Sequence, residues 1–242
     1  MTFPFKLGAL TVSLAASQAE LAVCQRLRHQ CFFGREGLDD DPHDARCQHM
    51  MVRNGHGALV ATARLLFLRD GTEIDRSFAA QVYELSCFTQ ITQPLVEVGR
   101  FCIAPGAMDA DVLRVAWGAL TRLIDDAGVG FLFGCSSFRG TDPAPYGRSF
   151  ARLAARHLGP VSIRPRVKAP EVIPLAGMAA TGDQPMPPLL RTYLAMGGWT
   201  GDHAVIDRHL GTMHVFTCVE TAAVPPARAR SLRALAQGAA LS

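Results

Sequence analysis

The chain has 242 residues, of which 49% are hydrophobic, so it is long and apolar enough to fold around a sizeable core. Its formal net charge is only +3 and its basic residues are scattered, which argues against nucleic acid as a partner. The seven cysteines are odd in number, form no C-x-x-C pair and mostly lie in apolar segments, as expected for free thiols in a reducing cytoplasm.

The N-terminal part of the chain is predicted to contain an edge strand and a capped helix. The apolar run after Lys6 alternates as an edge strand does, and it lacks the basic cluster of a signal peptide. The capping box of Ser17 and Glu20 predicts a helix over residues 18–33 that ends at Gly34.

An acidic loop and a pair of strands follow this helix. Residues 35–49 are polar and turn-rich and predict a surface loop, whose run of aspartates lacks the spacing of a calcium-binding loop. Residues 49–53 and 57–68 predict two strands joined by a turn. The second strand is interrupted by Arg64, which needs a carboxylate partner, and the candidates are Asp41, Asp44 and Glu97.

The most informative stretch is 96–105, VEVGRFCIAP, in which Glu97 and Arg100 interrupt an apolar run short enough to be an interior strand. Burying an ionised group costs several kcal/mol, so both residues need partners or a functional role. Strict alternation would send the two side chains to opposite faces, but Gly99 permits a bulge that would bring them into one cleft. We predict the functional site at this strand, with a purely structural ion pair as the alternative.

The remaining segments predict alternating helices and strands in one domain, residues 1–242, with a Pro/Gly-rich connector at about 160–188 and a C-terminal extension over 189–242. One predicted helix, from about Tyr146 to Leu158, aligns Arg148, Arg152 and Arg156 on one face. The other predictions are an irregular or helical segment at 74–86, a helix from Asp109 or Asp111 to about Ala127, a strand at 129–138, short strands at 162–164 and 172–175, a helix at 189–196, strands near 203–206 and 213–219, and a basic helix in the tail.

Several familiar kinds of catalytic site are disfavoured by the motifs. No dinucleotide or P-loop fingerprint occurs, and the segment 134–138 has the wrong spacing for a nucleophile elbow. The histidines lack the spacing of a zinc site, so no metal is expected. A buried carboxylate, Glu97, remains as a candidate general base.

Two sets of residues resemble known families. Arg28 and Phe32, the loop aspartates, Arg64 and the Glu97-x-x-Arg100 pair resemble the pattern of acyl-homoserine-lactone synthases. A closer resemblance, to the L-ornithine N-acyltransferases that make lyso-ornithine lipid, covers most of residues 30–220. It is carried by the ordered blocks FGREGLDDDPHDARCQHMMV, ATARLL, VEVGRFCI, LFGCSSF, PPLLRTYLAMGGW and HAVIDRHLGTMHVF.

The resemblance implies a GNAT acyltransferase fold of the α/β (α+β) class, with a central mixed, twisted sheet flanked by helices and with strands around 96–103 and 130–137 splayed apart. It also implies transfer of a 3-hydroxy fatty acyl group from acyl carrier protein to the α-amino group of an amino acid, ornithine or glutamine. No cofactor is implied, because the phosphopantetheine thioester of the carrier protein is the co-substrate. The alternatives are another amino acid acceptor, a lactone synthase, and a non-catalytic binding module.

The same resemblance implies roles for individual residues. Glu97 would be the base, with Arg100 as the second catalytic residue. The arginines of the 146–158 helix would dock the carrier protein in the cytoplasm, and the basic tail leaves peripheral contact with the inner membrane surface open. The substrate-binding residues would be Arg28, Phe32, Asp41, Asp44, Arg64, Phe101, Cys102, Ile103, Ser136, Ser137 and Phe138.

Overall fold

A computed structural model of the protein describes residues 4–107 and 110–236. The helices are α1 (Gln18–Phe33), α2 (Ala79–Val82), α3 (Ala110–Asp126), α4 (Gly147–Arg156), α5 (Pro188–Ala195) and α6 (Pro226–Ala236). The strands are β1 (Phe5–Leu7), β2 (Leu10–Leu14), β3 (Gln48–Arg53), β4 (Leu59–Leu68), β5 (Tyr83–Glu84), β6 (Leu95–Ile103), β7 (Phe131–Arg139), β8 (Arg166–Val167), β9 (Val172–Pro174), β10 (Trp199–Asp207) and β11 (Thr212–Glu220).

The described chain forms two compact units. Unit 1 contains residues 4–67, 97–128 without 108 and 109, and 226–236, and unit 2 contains residues 68–96 and 129–225. The single-domain organisation and the splayed strands expected from the sequence stay predictions.

Unit 1 is built on strands in the order β1-β2-β3-β4-β6. The pairs β1/β2, β2/β3 and β3/β4 are antiparallel, and the register of the last pair sets His49 opposite Arg64. The strand expected after Lys6 is confirmed as β2, but it is not the edge strand, because β1 pairs with its outer side.

Helix α1 has the bounds that its caps predict. The Ser17 hydroxyl accepts from the Glu20 amide at 3.2 Å, and the Glu20 carboxylate accepts from the Ala16 amide at 2.8 Å. At the other end Gly34 adopts φ 67°, a left-handed conformation that glycine adopts without steric cost. The capping-box prediction is therefore confirmed.

Helices α3 and α6 pack against each other in unit 1, and α3 also contacts β2 and β3. A Cβ on Gly118 would lie 3.1 Å from the Leu235 carbonyl carbon, so the absence of a side chain allows this close approach. The tail helix is confirmed as α6, while membrane contact stays a prediction. Within residues 4–107 and 110–236, no helix combines the length and apolar composition needed to cross a membrane.

Unit 2 is built on antiparallel strands in the order β7-β11-β10-β9, with β5 and β8 forming a separate pair. Helices α4 and α5 supply Phe150, Leu153 and Leu190 to a core that Phe138 and Met213 line from the strands. A second apolar layer consists of the aromatic side chains of Tyr83, Phe88, Phe133, Trp199 and Phe216.

Most of the predicted elements are confirmed with shifts of one to three residues at their ends. One strand prediction is wrong, because residues 162–164 begin within a 3-10 turn, Val161–Ile163, that follows Pro160. The segment expected to be helical or irregular at 74–86 consists of 3-10 turns, the four-residue helix α2 and the short strand β5. Asp109, one predicted start of α3, lies outside the described residues.

Candidate active site

An acidic loop folds onto α1, β4 and β6 in unit 1. The Asp39 amide donates to the Gln25 carbonyl at 3.2 Å, and the Asp44 amide donates to the Asp41 carbonyl at 2.8 Å. The predicted surface loop is wrong for Asp39 and Asp44, because their side chains are only 5% and 3% exposed. They are buried because three arginines reach them from the regular elements.

Arg28 of α1 is fully buried between Asp39 and Asp44. Its Nε lies 2.7 Å from an Asp39 oxygen, while Nη1 and Nη2 lie 2.9 and 2.8 Å from the two Asp44 oxygens. Its Nη2 also donates to the Asp39 carbonyl. The contact with Asp44 is the two-point geometry in which a guanidinium binds a carboxylate most strongly.

Arg64 of β4 and Arg100 of β6 complete a closed arrangement. Arg64 Nη1 lies 2.8 Å from Asp41 and 3.1 Å from Asp44. Arg100 lies 3.0 Å from Asp39 through Nε and 3.1 Å from Asp41 through Nη2. Each arginine thus contacts two aspartates and each aspartate contacts two arginines, and we call this set the ion-pair ring: Arg28, Asp39, Arg100, Asp41, Arg64 and Asp44.

The ion-pair ring balances its own charge, with three guanidinium groups and three carboxylates. Burial by itself would raise the pKa of Asp44, but hydrogen bonds from Arg28 and Gln25 and the Arg28 charge lower it to about 2. The pKa of Asp41 is also lowered, because Arg64 and the His43 amide outweigh its burial. Removing one partner from such a buried set leaves an uncompensated charge, so the ring acts as a unit.

The backbone of β6 adopts a left-handed conformation at Arg100, which we call its backbone turn. Among the described residues Arg100 is the single non-glycine residue with positive φ, at 51°. The irregularity predicted in this strand therefore exists, but it lies at Arg100 and not at Gly99, whose φ is not positive. The Arg100 guanidinium lies 5.6 Å from the Phe32 ring centre, a cation–π distance.

Glu97 lies on β6, three residues before Arg100, and is 6% exposed. A Cβ on Gly99 would lie 3.9 Å from the Arg64 guanidinium, and residues 97 and 99 of a strand share one face. Glu97 therefore lies on the face that carries Arg64. Burial, with contributions from the Glu97 and Asp44 charges, raises the pKa of Cys47 to about 11, which places Glu97 within electrostatic reach of that thiol.

The predicted backbone-binding segment 101–103 has its side chains engaged in packing. The Phe101 ring stacks on Trp117 of α3 with centres 6.4 Å apart, and Cys102 is buried. The carbonyl of Ile103 accepts from the Cys31 thiol at 3.4 Å. The use of this segment in binding stays a prediction.

The other predicted substrate-binding residues lie in unit 2. Ser136 is buried and its hydroxyl accepts from Thr217 at 2.9 Å. Ser137 is exposed, and the Phe138 ring packs against Tyr146 and Phe150. Their roles in binding stay predictions, as does the docking role of Arg148, Arg152 and Arg156, all of which are exposed.

Sequence reasoning placed four of the six members of the ion-pair ring among substrate-binding residues and Arg100 among catalytic ones, and it missed Asp39. It also missed Gln25, whose amide donates to Asp40 at 3.2 Å and to Asp44 at 3.0 Å. A usable signal was present, because Gln25 lies three residues before Arg28 on the same helical face.

Comparison with known proteins identifies a domain family in this part of the chain. Residues 26–118, which contain the whole ion-pair ring and Glu97, match the acetyltransferase (GNAT) domain family. The chain has the GNAT acyltransferase fold. The fold expected from the resemblance is thereby confirmed.

Several known proteins are similar to this chain over most of its length. An L-ornithine N(alpha)-acyltransferase of Rhodobacter capsulatus is 28% identical, with 88% of this chain and 90% of that protein covered. One of Brucella abortus is also 28% identical, covering 87% and 84%. The solved structure of FeeM, an N-acyl amino acid synthase from uncultured soil microbes, is 13% identical with a TM-score of 0.47, covering 94% of this chain and 97% of that one.

Arg100 allows a test of the backbone turn in β6. Arg100→Gly and Arg100→Ala both remove the guanidinium, but alanine keeps the steric cost of positive φ that glycine lacks. We expect the glycine variant to have a free energy of unfolding about 1 kcal/mol above that of the alanine variant, measured by urea denaturation. Glycine is normally the less stable of the two in a strand, so a more stable alanine variant would contradict the turn.

Asp44 predicts the acid sensitivity of unit 1. Its folded pKa of about 2 lies below the unfolded value of about 3.9, so its stabilisation is complete above about pH 4 and is lost as the pH falls through about 2. The difference corresponds to about 2.5 kcal/mol, so Asp44→Asn should remove a loss of that size from the stability profile between about pH 5 and pH 1.

The measurement is urea denaturation at a series of pH values, with Asp183→Asn at an exposed loop carboxylate as the control. The control should follow the wild-type profile. An equally steep acid loss in Asp44→Asn would show that another group titrates.

Proposed function

We propose that the protein is an N-acyltransferase that moves a 3-hydroxy fatty acyl group from acyl carrier protein to the α-amino group of an amino acid, with ornithine as the first candidate. The observation that carries this proposal is the similarity, over 88% of the chain, to L-ornithine N(alpha)-acyltransferase. The buried Glu97 beside the ion-pair ring supplies a group suited to the chemistry.

Glu97 acts in this proposal as the general base. An amino group attacks a thioester only when neutral, so the α-ammonium must first lose a proton. Glu97 accepts that proton, directly or through a water molecule, and the amine attacks the carbonyl carbon. The new C–N bond replaces the C–S bond, and the pantetheine sulfur leaves as a thiol after taking up a proton.

The ion-pair ring positions this reaction and does not itself react. Arg64 of β4 and Arg100 of β6 both bind Asp41, so they fix the acidic loop to these two strands. A second role for Arg64 or Arg100, binding the carboxylate of the amino acid, remains part of the proposal.

The acyl donor is proposed to bind along 101–103 through backbone groups. Pairing of the pantetheine arm with this segment would bring the thioester carbonyl near a backbone amide, and such an amide stabilises the oxyanion that forms during attack. The side chains are compatible with this role, since Phe101 stacks on Trp117 and Cys102 is buried.

The proposed docking surface for the carrier protein lies in unit 2 on α4. Arg148, Arg152 and Arg156 are exposed at four-residue spacing, so they share one face. Beyond the helix, Val161 is 83% exposed. A row of cations followed by an exposed apolar residue suits an acidic partner with an apolar contact of its own.

Glu97→Gln tests the proposed base. The assay is transfer from 3-hydroxyacyl carrier protein to L-ornithine, with the N-acyl product and the released thiol quantified. Because glutamine has the same shape but cannot take the proton, we expect kcat to fall by about 10²- to 10⁴-fold with the fold intact.

Glu220→Gln, at an exposed carboxylate, is the control and should keep the wild-type rate. Full turnover by Glu97→Gln would remove Glu97 from the mechanism. If the wild-type protein acylates only glutamine, or makes a lactone, the acceptor must be reassigned. If it releases no thiol with any acceptor, the proposed function is refuted.

Arg152→Glu tests the docking surface. The reversed charge should repel the acidic carrier protein, so we expect KM for the acyl carrier substrate to rise about tenfold with kcat unchanged. Arg191→Glu, on the exposed face of α5, is the matched control and should leave KM unchanged. An unaltered KM in Arg152→Glu would move the docking surface elsewhere.

A further inference from the structure

Two thiols meet beside the ion-pair ring in unit 1. Cys31 lies in the last turn of α1 and Cys102 lies on β6, close enough that each thiol perturbs the pKa of the other. The Cys31 sulfur also donates to the Ile103 carbonyl at 3.4 Å. Both cysteines are in the free thiol form.

The two thiols differ in exposure and in acidity. Cys31 is half-buried, whereas Cys102 is 5% exposed. The hydrogen bond from Cys102 lowers the pKa of Cys31 against the effect of burial, and the same hydrogen bond together with burial raises the pKa of Cys102. Cys31 is thus suited to react with an oxidant first, and Cys102 is suited to react with the product.

The surroundings single out this pair. Burial raises the pKa of four other cysteines, which makes them poor thiolates: Cys24, Cys47, Cys87 and Cys218. Cys31 differs from them because a second thiol donates to it. A thiol partly open to solvent with a second thiol in contact is the arrangement that redox-sensing proteins use.

We propose that Cys31 and Cys102 form a reversible, peroxide-sensitive disulfide that switches the site off. The Cys31 thiolate attacks a peroxide oxygen and becomes a sulfenic acid, releasing water after proton uptake. The Cys102 thiol then displaces hydroxide from that sulfur, which leaves as a second water. Overall, two thiols and one hydrogen peroxide give one disulfide and two water molecules.

The effect on the site follows from where the two residues lie. The disulfide would tie the turn of α1 that carries Phe32 to the residue two positions after Arg100, and it would end the Cys31 donation to Ile103. Segment 101–103 is where the acyl donor binds in the proposed function, on which this part of the inference rests. Oxidation should therefore lower acyl transfer, and a dithiol should restore it.

The disulfide is detectable without any activity assay. The protein is treated with hydrogen peroxide, remaining thiols are blocked with N-ethylmaleimide, and tryptic peptides are analysed unreduced by mass spectrometry. We expect peptides 29–35 and 101–114 to be joined, and dithiothreitol to separate them. Recovery of both peptides as separate alkylated species, or of Cys31 as a sulfinic acid with Cys102 alkylated, would overturn the pair.

The activity arm compares each protein with itself before and after peroxide. Wild type and Cys87→Ser should lose activity several-fold and recover it with dithiothreitol, whereas Cys31→Ser, which keeps a donor to Ile103, should be resistant. A joined peptide without loss of activity would overturn the switch. If the untreated protein has no activity but peroxide still joins the two peptides, the proposed function is wrong and the disulfide itself is not.

Discussion

The mutual neutralisation of three arginines and three aspartates in unit 1 is the interaction on which the site depends. Each charge in the ring has two partners, and the most exposed of the six side chains, Asp41, is only 11% exposed. Removal of one member would strand a buried charge at a cost of about 3–5 kcal/mol. The acidic loop, α1, β4 and β6 are therefore held together by one electrostatic arrangement, and Glu97 keeps a fixed place next to it.

The backbone turn at Arg100 shows how this arrangement is reached. In a regular strand Arg100 would point away from the face that carries Glu97, but positive φ redirects its guanidinium to Asp39 and Asp41. A strained backbone at a non-glycine residue persists only where the surroundings determine it. At Arg100 the two ion pairs and the contact with Phe32 hold the strained backbone in place. The same conformation lets Arg100 balance the charges of the aspartates.

Local patterns predicted the regular elements well. The caps of α1, the turn between β3 and β4 and the helix α3 are properties of neighbouring residues, and each is confirmed. The prediction failed where the outcome depended on distant partners. Residues 35–49 were expected to form a surface loop, because nothing near Asp39 or Asp44 in the sequence shows that arginines on three different elements bury them.

The sequence by itself determined that Glu97, Arg64 and Arg100 lie in apolar strands and so must be paired or functional, because the cost of burying a charge does not depend on the fold. Only the tertiary structure decided the pairing. It assigned Arg64 to Asp41 and Asp44, brought Arg28 into the same set and placed the Cys31 thiol against the carbonyl of Ile103, the residue after Cys102. The reason is geometric, since a guanidinium reaches only a few ångströms and residues far apart in the chain become neighbours only when the elements have packed.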